Sequence, residues 1–309
     1  MEEDVDTNFN RWNTEYIDLY QEEWWRQLDC HSKTAYNEWV IDKVVPFIIL
    51  SPTIVEVIFS ICKKLDQPPE TRYLTIEIFD RFMARHHKQL HECIWDRSPD
   101  NHLLRQWERV TERIQRQMIL RAMSCMQLAS KFVNYKKCLH SSVIMNYLKS
   151  VGQSFTLHNI MASEKRVYET LNFKLPLYHP LMYVDYLTER LSKLEVISDI
   201  KLLHSTSISV LDVVYIQHKE IYSRLFHMIS GRWERTEAER ESFLAVECDK
   251  LFLACAVVAC AAEISEPNNG AIIQRLSQET GCLLQDIEGL SSIISEIILP
   301  DKNAAYVKP

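Results

Sequence analysis

Glycine is scarce in this chain, with five residues in 309 against a typical share of roughly 7%. So few glycines leave little material for tight hairpins or phosphate-cradling loops, because both need backbone at positive φ. No P-loop or Gly-rich dinucleotide motif occurs, and the scarcity favours an all-α chain over a nucleotide-binding βαβ fold. Basic charge is short as well. Lys and Arg number 35 against 42 Asp and Glu, a formal charge of -7. That field opposes a general nucleic-acid binder, whose phosphate contacts need a basic footprint. There is no Cys-x-x-Cys among the nine cysteines, and Cys125, Cys255 and Cys260 fall inside apolar runs. They read as small buried hydrophobes in a reducing compartment. The longest apolar run, Leu251 to Ala262, is well short of the roughly 20 residues that span a bilayer. The acidic opening Met1-Glu-Glu-Asp-Val-Asp is unlike a secretory or transit peptide. A soluble intracellular protein without membrane contact is expected.

What the chain does have is 47% hydrophobic residues, enough for about two domains at roughly 150 residues each. Residues 8–30 read as an amphipathic entry helix, with Trp12, Tyr16, Leu19, Tyr20 and Trp24 near one face. The Trp24-Trp25 pair is expected to pack that helix onto the body, since large aromatics mostly serve packing. Ile54, Val55, Ile58, Phe59 and Cys62 recur at a helical period over 53–65. Pro69 opens a second helix, which runs to about residue 90. Ser98-Pro-Asp-Asn marks a loop, and one long helix is expected from about 103 to 134. Two more follow, near 140–150 and 156–172, the latter capped by Thr156.

Pro176, His179 and Pro180 mark a boundary, after which the pattern restarts. Helices are expected near 180–193, 198–217, 247–264, 269–280 and 282–299, with a charged insertion at 229–246. Two consecutive sets of about five helices suggest a duplicated architecture without a residue-level repeat. The runs at 120–132 and 251–263 are the expected bundle centres. In the first, Ala122, Ser124, Cys125, Ala129 and Ser130 let neighbouring backbones approach closely. That run ends on Lys131, and Glu164 interrupts the apolar stripe formed by Ile160, Met161, Val167, Tyr168 and Leu171. Two opposite charges at the rim of a tightly packed core suggest a surface built for a partner. The plainer readings are a lysine complementing its helix dipole and an internal Lys131–Glu164 pair.

The order and spacing of several motifs resemble a cyclin over residues 50–300. Asp80-Arg-Phe-Met83 resembles the end of the second helix of a cyclin box, and Leu128-Ala-Ser-Lys-Phe132 the third. Glu164 with Leu171, Phe173 and Leu175 resembles the fifth, and Pro180-Leu-Met-Tyr-Val184 the entry into a second cyclin fold. Ile54-Val-Glu-Val-Ile58, Glu77-Ile-Phe-Asp-Arg-Phe-Met83 and Leu211-Asp-Val-Val-Tyr215 are similar to the cyclin-like proteins implicated in meiotic crossover formation. The resemblance implies an all-α protein with two tandem five-helix cyclin folds after an N-terminal helix. The expected divisions are an extension over 1–45, a first cyclin box over 46–176 with an insertion at 85–117, a second fold over 177–300 and a tail over 301–309.

The resemblance also implies a nuclear, chromosome-associated regulatory scaffold with no catalysis of its own, no cofactor and no small-molecule substrate. Its implied partners are a cyclin-dependent kinase catalytic subunit and crossover-associated recombination proteins. Lys131 and Glu164 match the lysine and glutamate with which cyclins hold a kinase. The acidic pair that usually follows that lysine is Val133-Asn134 here, and Ser51-Pro52 stand near the place of the usual Met-Arg. These departures point to recruitment rather than activation. Two alternatives are a kinase-activating cyclin and a DNA-binding cyclin-fold transcription factor, against which the charge of -7 speaks.

Three other features carry plainer expectations. His86, His87, His91 and Cys93 lack the spacing of a zinc site and read as a polar helix end. Glu22-Glu23 reads as part of a solvated face. Arg105, Arg109, Arg113 and Arg116 form a basic stripe, and interleaved Glu108 and Glu112 are expected to neutralise it through ion pairs three or four residues apart.

Overall fold

Ser51 turns the extended chain into the first bundle. Its Oγ accepts the Ile54 N–H at 3.4 Å, and Pro52 occupies the first helical position, where its missing N–H costs nothing. The computed structural model describes residues 14–42, 44–47, 49–95, 103–193, 199–265 and 270–299. Helix α1 spans Thr14–Asp42, α2 Pro52–Lys64, α3 Pro69–Trp95, α4 Leu103–Arg116, α5 Met118–Val133, α6 Ser141–Ser150 and α7 Leu157–Thr170. In the second half, α8 spans Pro180–Lys193, α9 Ile200–Ile216, α10 His218–Ser230, α11 Glu237–Cys248, α12 Lys250–Ser265, α13 Gly270–Thr280 and α14 Leu284–Ile298. No strand occurs among the described residues.

Helices α2, α3, α5, α6 and α7 form one five-helix bundle, and α8, α9, α12, α13 and α14 form the other. The centre of each is the run richest in small residues. In α5, Ala122, Ser124, Cys125, Ala129 and Ser130 are all buried, and α12 is buried continuously from Leu253 to Ala262. A helix apolar on every side has to be surrounded, and small side chains let α3 and α7 approach α5 closely. Both bundles take extra helices at the same point, between the second and third members: α4 in the first, α10 and α11 in the second.

Four expectations are corrected. The entry helix runs to Asp42 rather than to about 30, because nothing breaks it before Pro46 and Leu28 and Ala35 extend its buried face; residues 8–13, with Trp12, lie outside the described residues. Helix α3 continues to Trp95. The single helix expected over 103–134 is two, broken at Gln117, whose N–H is shared between the Arg113 and Ile114 carbonyls at 3.2 and 3.0 Å. The break lets α4 lie on α3 by one face while α5 enters the bundle. The charged insertion over 229–246 contains most of α11. Thr236 and Glu239 close a reciprocal capping box at its start, and Arg235 pins it by reaching Glu247 at 2.6 Å and the Tyr222 carbonyl at 2.8 Å. The loop Ser98-Pro-Asp-Asn and the tail over 301–309 lie outside the described residues.

The two bundles meet along a polar seam. Tyr73 donates to Asp212 at 2.7 Å, Arg72 reaches the same carboxylate at 2.9 Å, and Tyr215 donates to Glu77 at 2.8 Å. Lys250 pairs with Glu77 from the second bundle and donates to the Tyr178 carbonyl at 2.7 Å. Helix α1 lies across both halves. Trp25 stacks on Tyr186 with ring centroids 4.8 Å apart, the packing role expected of the tryptophan pair. Ser32 donates to Asp249 at 2.7 Å. At the far end, Asp42 receives Arg81 at 2.9 Å and Arg85 at 2.7 Å, fixing α1 to α3.

Candidate partner-binding surface

The face at Lys131 and Glu164 is set by hydrogen bonds just inside the core. Ser163 on α7 accepts from Arg121 at 2.9 Å and pairs with Ser124 at 2.7 Å, both on α5. These bonds hold α7 against α5 in one register. Glu164, the next residue, then falls opposite Lys131, two turns beyond Ser124. At the end of α5, Ser130 accepts the Leu139 N–H at 3.0 Å and Asn134 accepts the Lys137 N–H at 3.2 Å, so the chain leaves in a defined direction.

Lys131 and Glu164 form an ion pair, with side chains 40% and 17% exposed. The internal pairing considered from sequence is therefore present in the isolated chain. A half-exposed pair of this kind contributes only about 0–1 kcal/mol to stability. Its surroundings are more informative. Phe132 lies at the end of α5 and Tyr135 in the turn just past it, and Leu157 and Met161 are two turns and one turn before Glu164 on α7; Tyr135 is 82% and Met161 60% exposed. Met161, expected inside the stripe, faces outward, while Ile160, Val167 and Leu171 carry the buried face. Sequence patterning did not separate these exposed apolar residues from the core. Their signal is positional: Leu157 and Met161 stand seven and three residues before Glu164 and so share its side of α7.

Residues 51–176 match the model of the cyclin N-terminal domain. The first bundle is a cyclin N-terminal domain. The match begins at the Ser51 cap of α2 and ends past α7, so it takes in all five helices of this cyclin domain and the inserted α4. The chain is also similar to Cyclin N-terminal domain-containing protein 1 of Mus musculus, 29% identical over 244 residues, covering 78% of this chain and 73% of the relative. The likeness to Cyclin N-terminal domain-containing protein 1 of Homo sapiens is 29% over 245 residues, covering 79% and 74%. Both alignments are longer than the cyclin domain and extend the similarity into the rest of the chain.

The other sequence candidates are placed elsewhere. His87 and His91 face Trp107, with ring centroids 4.8 and 5.5 Å away, and His91 stacks on Trp95 at 4.2 Å. They form an aromatic cluster joining α3 to α4. Among the described residues no group of three or more His, Cys, Asp or Glu is placed to hold a metal. The arginines of α4 do not form the expected network. Only Arg116 pairs with an interleaved glutamate, Glu112, at 3.0 Å.

Proposed function

We propose that this protein is a non-catalytic, nuclear, chromosome-associated cyclin-like scaffold that promotes meiotic crossover designation and maturation through protein contacts. The face at Lys131 and Glu164 is its recognition surface for a cyclin-dependent kinase catalytic subunit. The carrying observation is a charged pair joining the third and fifth helices of a cyclin domain, with exposed Phe132, Leu157 and Met161 on those helices and exposed Tyr135 in the turn after the third. An apolar surface supplies affinity while a charged pair fixes orientation and on-rate. The meiotic part of the reading is supported by the resemblance to crossover-associated cyclin-like proteins, and the relatives' names add only that they too carry a cyclin N-terminal domain.

Recruitment without strong activation is the expected mode, since Val133-Asn134 replaces the acidic pair that follows the lysine in kinase-activating cyclins. The test is binding and kinase activity with purified wild type and Lys131→Glu. Charge reversal beside Glu164 is expected to weaken binding by about 1.5–3 kcal/mol, with a melting temperature close to wild type. Strong activation lost in the variant would establish a kinase activator instead. Binding by neither protein would return Lys131 and Glu164 to a purely internal pair.

A further inference from the structure

Helix α4 packs on α3, where Trp107 meets His87, His91 and Trp95, and Trp107, Val110, Thr111 and Ile114 are all half-buried. At 100° per residue these four fall on one side of the helix. Arg105, Arg109, Arg113 and Arg116 fall on the opposite side within an arc of about 80°, and all four are exposed. They rise over about 16 Å of helix axis. Glu108 and Glu112 lie at one edge of the arc, and only Glu112 engages an arginine. Arg105, Arg109 and Arg113 have no hydrogen-bonding or ionic partner among the described residues.

The positive field extends inward from the stripe. Burial lowers the Arg121 pKa, and the like charges of Arg166 and Arg113 lower it further. Burial also drives His86 down to about 4, with Arg121 and Arg166 adding to the effect. A molecule with seven more acidic than basic residues thus gathers uncompensated arginines on an added helix whose other face is already satisfied.

We propose that the outer face of α4 is a docking surface for an acidic segment of a partner protein, with carboxylates about one helical turn apart. Arginine suits this role, because its planar fork takes a carboxylate through two parallel N–H···O bonds. Donors at i, i+4 and i+8 match carboxylates at the same spacing on a helix laid alongside. A protein segment fits better than a nucleic-acid backbone. The glutamates edging the stripe and the overall charge of -7 oppose a long polyanion, whose phosphates run past any single helix, whereas a short segment stays within the arc. This surface is independent of the face at Lys131.

The test uses the full chain and a fluorescent helical peptide carrying glutamates four residues apart, with its glutamine counterpart and a short DNA duplex as competitors. Binding to the glutamate peptide is expected, weakening as salt rises. The triple variant Arg105→Gln, Arg109→Gln, Arg113→Gln is expected to lose about ten-fold or more in affinity with an unchanged melting temperature. A control removing the same charge elsewhere, Lys63→Gln, Lys64→Gln, Lys149→Gln, should bind as wild type. Equal losses in both variants would reduce the effect to net charge and overturn the site. Equal binding of the glutamine peptide, no binding at all, or a preference for the duplex would overturn it too, the last in favour of nucleic acid.

Discussion

Asp80 is 4% exposed on α3, where one carboxylate oxygen accepts the Phe47 N–H at 2.8 Å and the other has no partner. Burial pushes its pKa up to about 7, against the stabilising Phe47 bond. A folded pKa above the unfolded value gives stability that is full below pH 3.8 and is lost as pH rises through about 7. Four histidines act in the opposite sense. Burial drives His31 and His86 down to about 4, and His179 and His218 down to about 3. The unfolded chain takes up protons below pH 6.5 that these folded rings refuse, so each costs up to about 1.4 kcal/mol per pH unit there. Four such groups outweigh Asp80 between pH 6.5 and about 5. The chain is expected to be less stable at pH 5 than at pH 7, and His218→Phe should flatten the decline, since its ring stacks on Phe47 at 3.5 Å and its Nε2 is unpartnered. Urea midpoints across that range check this, and equal or greater stability at pH 5 would refute it. Asp80→Asn retains an acceptor for Phe47 and should stabilise the fold by up to about 4 kcal/mol above pH 7.

At the scale of elements, α1 and α4 are held by different means. Asp42 is 14% exposed between Arg81 and Arg85, which are 10% and 16% exposed. Removing one member of a buried pair leaves charge uncompensated, so Asp42→Ala is expected to cost about 3 kcal/mol or more, seen as a lower denaturation midpoint and earlier proteolysis near the end of α1. Trp107→Ala should free α4 while sparing the central helices, because Trp107 fixes α4 by rings rather than by the core. Hydrogen exchange that rises in α4 alone would show it; protection lost equally in α5 would make α4 part of the core.

The same elements show what the sequence could carry. The small residues of α5 and the unbroken apolar run of α12 identified both bundle centres, since a helix without a polar face has one environment. The Thr156 cap was readable for the same local reason. Gln117 was not, because it is neither glycine nor proline and the break there follows from two packing demands. The start of α11 did carry a signal, Thr236 and Glu239 three apart, hidden by surrounding charge. At the candidate face, Lys131 and Glu164 stood out as charges in apolar stripes. Met161 and Phe132 did not, because an apolar residue facing a partner has the same chemistry as one facing the core.

Over the whole molecule, the seam of Tyr73, Glu77, Asp212, Tyr215 and Lys250 ties the bundles together through buried polar groups. Glu77 and Lys250 are only 10% and 14% exposed, so separating the bundles breaks this desolvated pair together with the Tyr73–Asp212 and Tyr215–Glu77 hydrogen bonds. Calorimetry is expected to show one unfolding transition for the wild type. Glu77→Ala strands Lys250 and should separate that transition into two or broaden it, at a cost of about 3–5 kcal/mol. Two transitions already present in the wild type would mean that the seam joins the halves only weakly.

Both halves have grown at one point, the connection between the second and third helices of each bundle. Closing a longer connection is entropically cheap, since each doubling of length adds only about 0.6 kcal/mol. The delay falls on assembly instead. In each half the chain must make a detour before its central helix arrives, so the contacts that define the core join residues far apart in sequence. Distant contacts slow folding more than they weaken the folded state. The first and second helices of each bundle therefore wait with open apolar faces until α5 or α12 is in place. Newly made chains should be most prone to aggregation during that interval. Shortening the first detour, whose α4 has no fully buried residue over 105–116, should speed folding with little change in equilibrium stability. The second detour cannot be shortened with so little loss, because α10 and α11 bury Tyr222, Phe226 and Phe243.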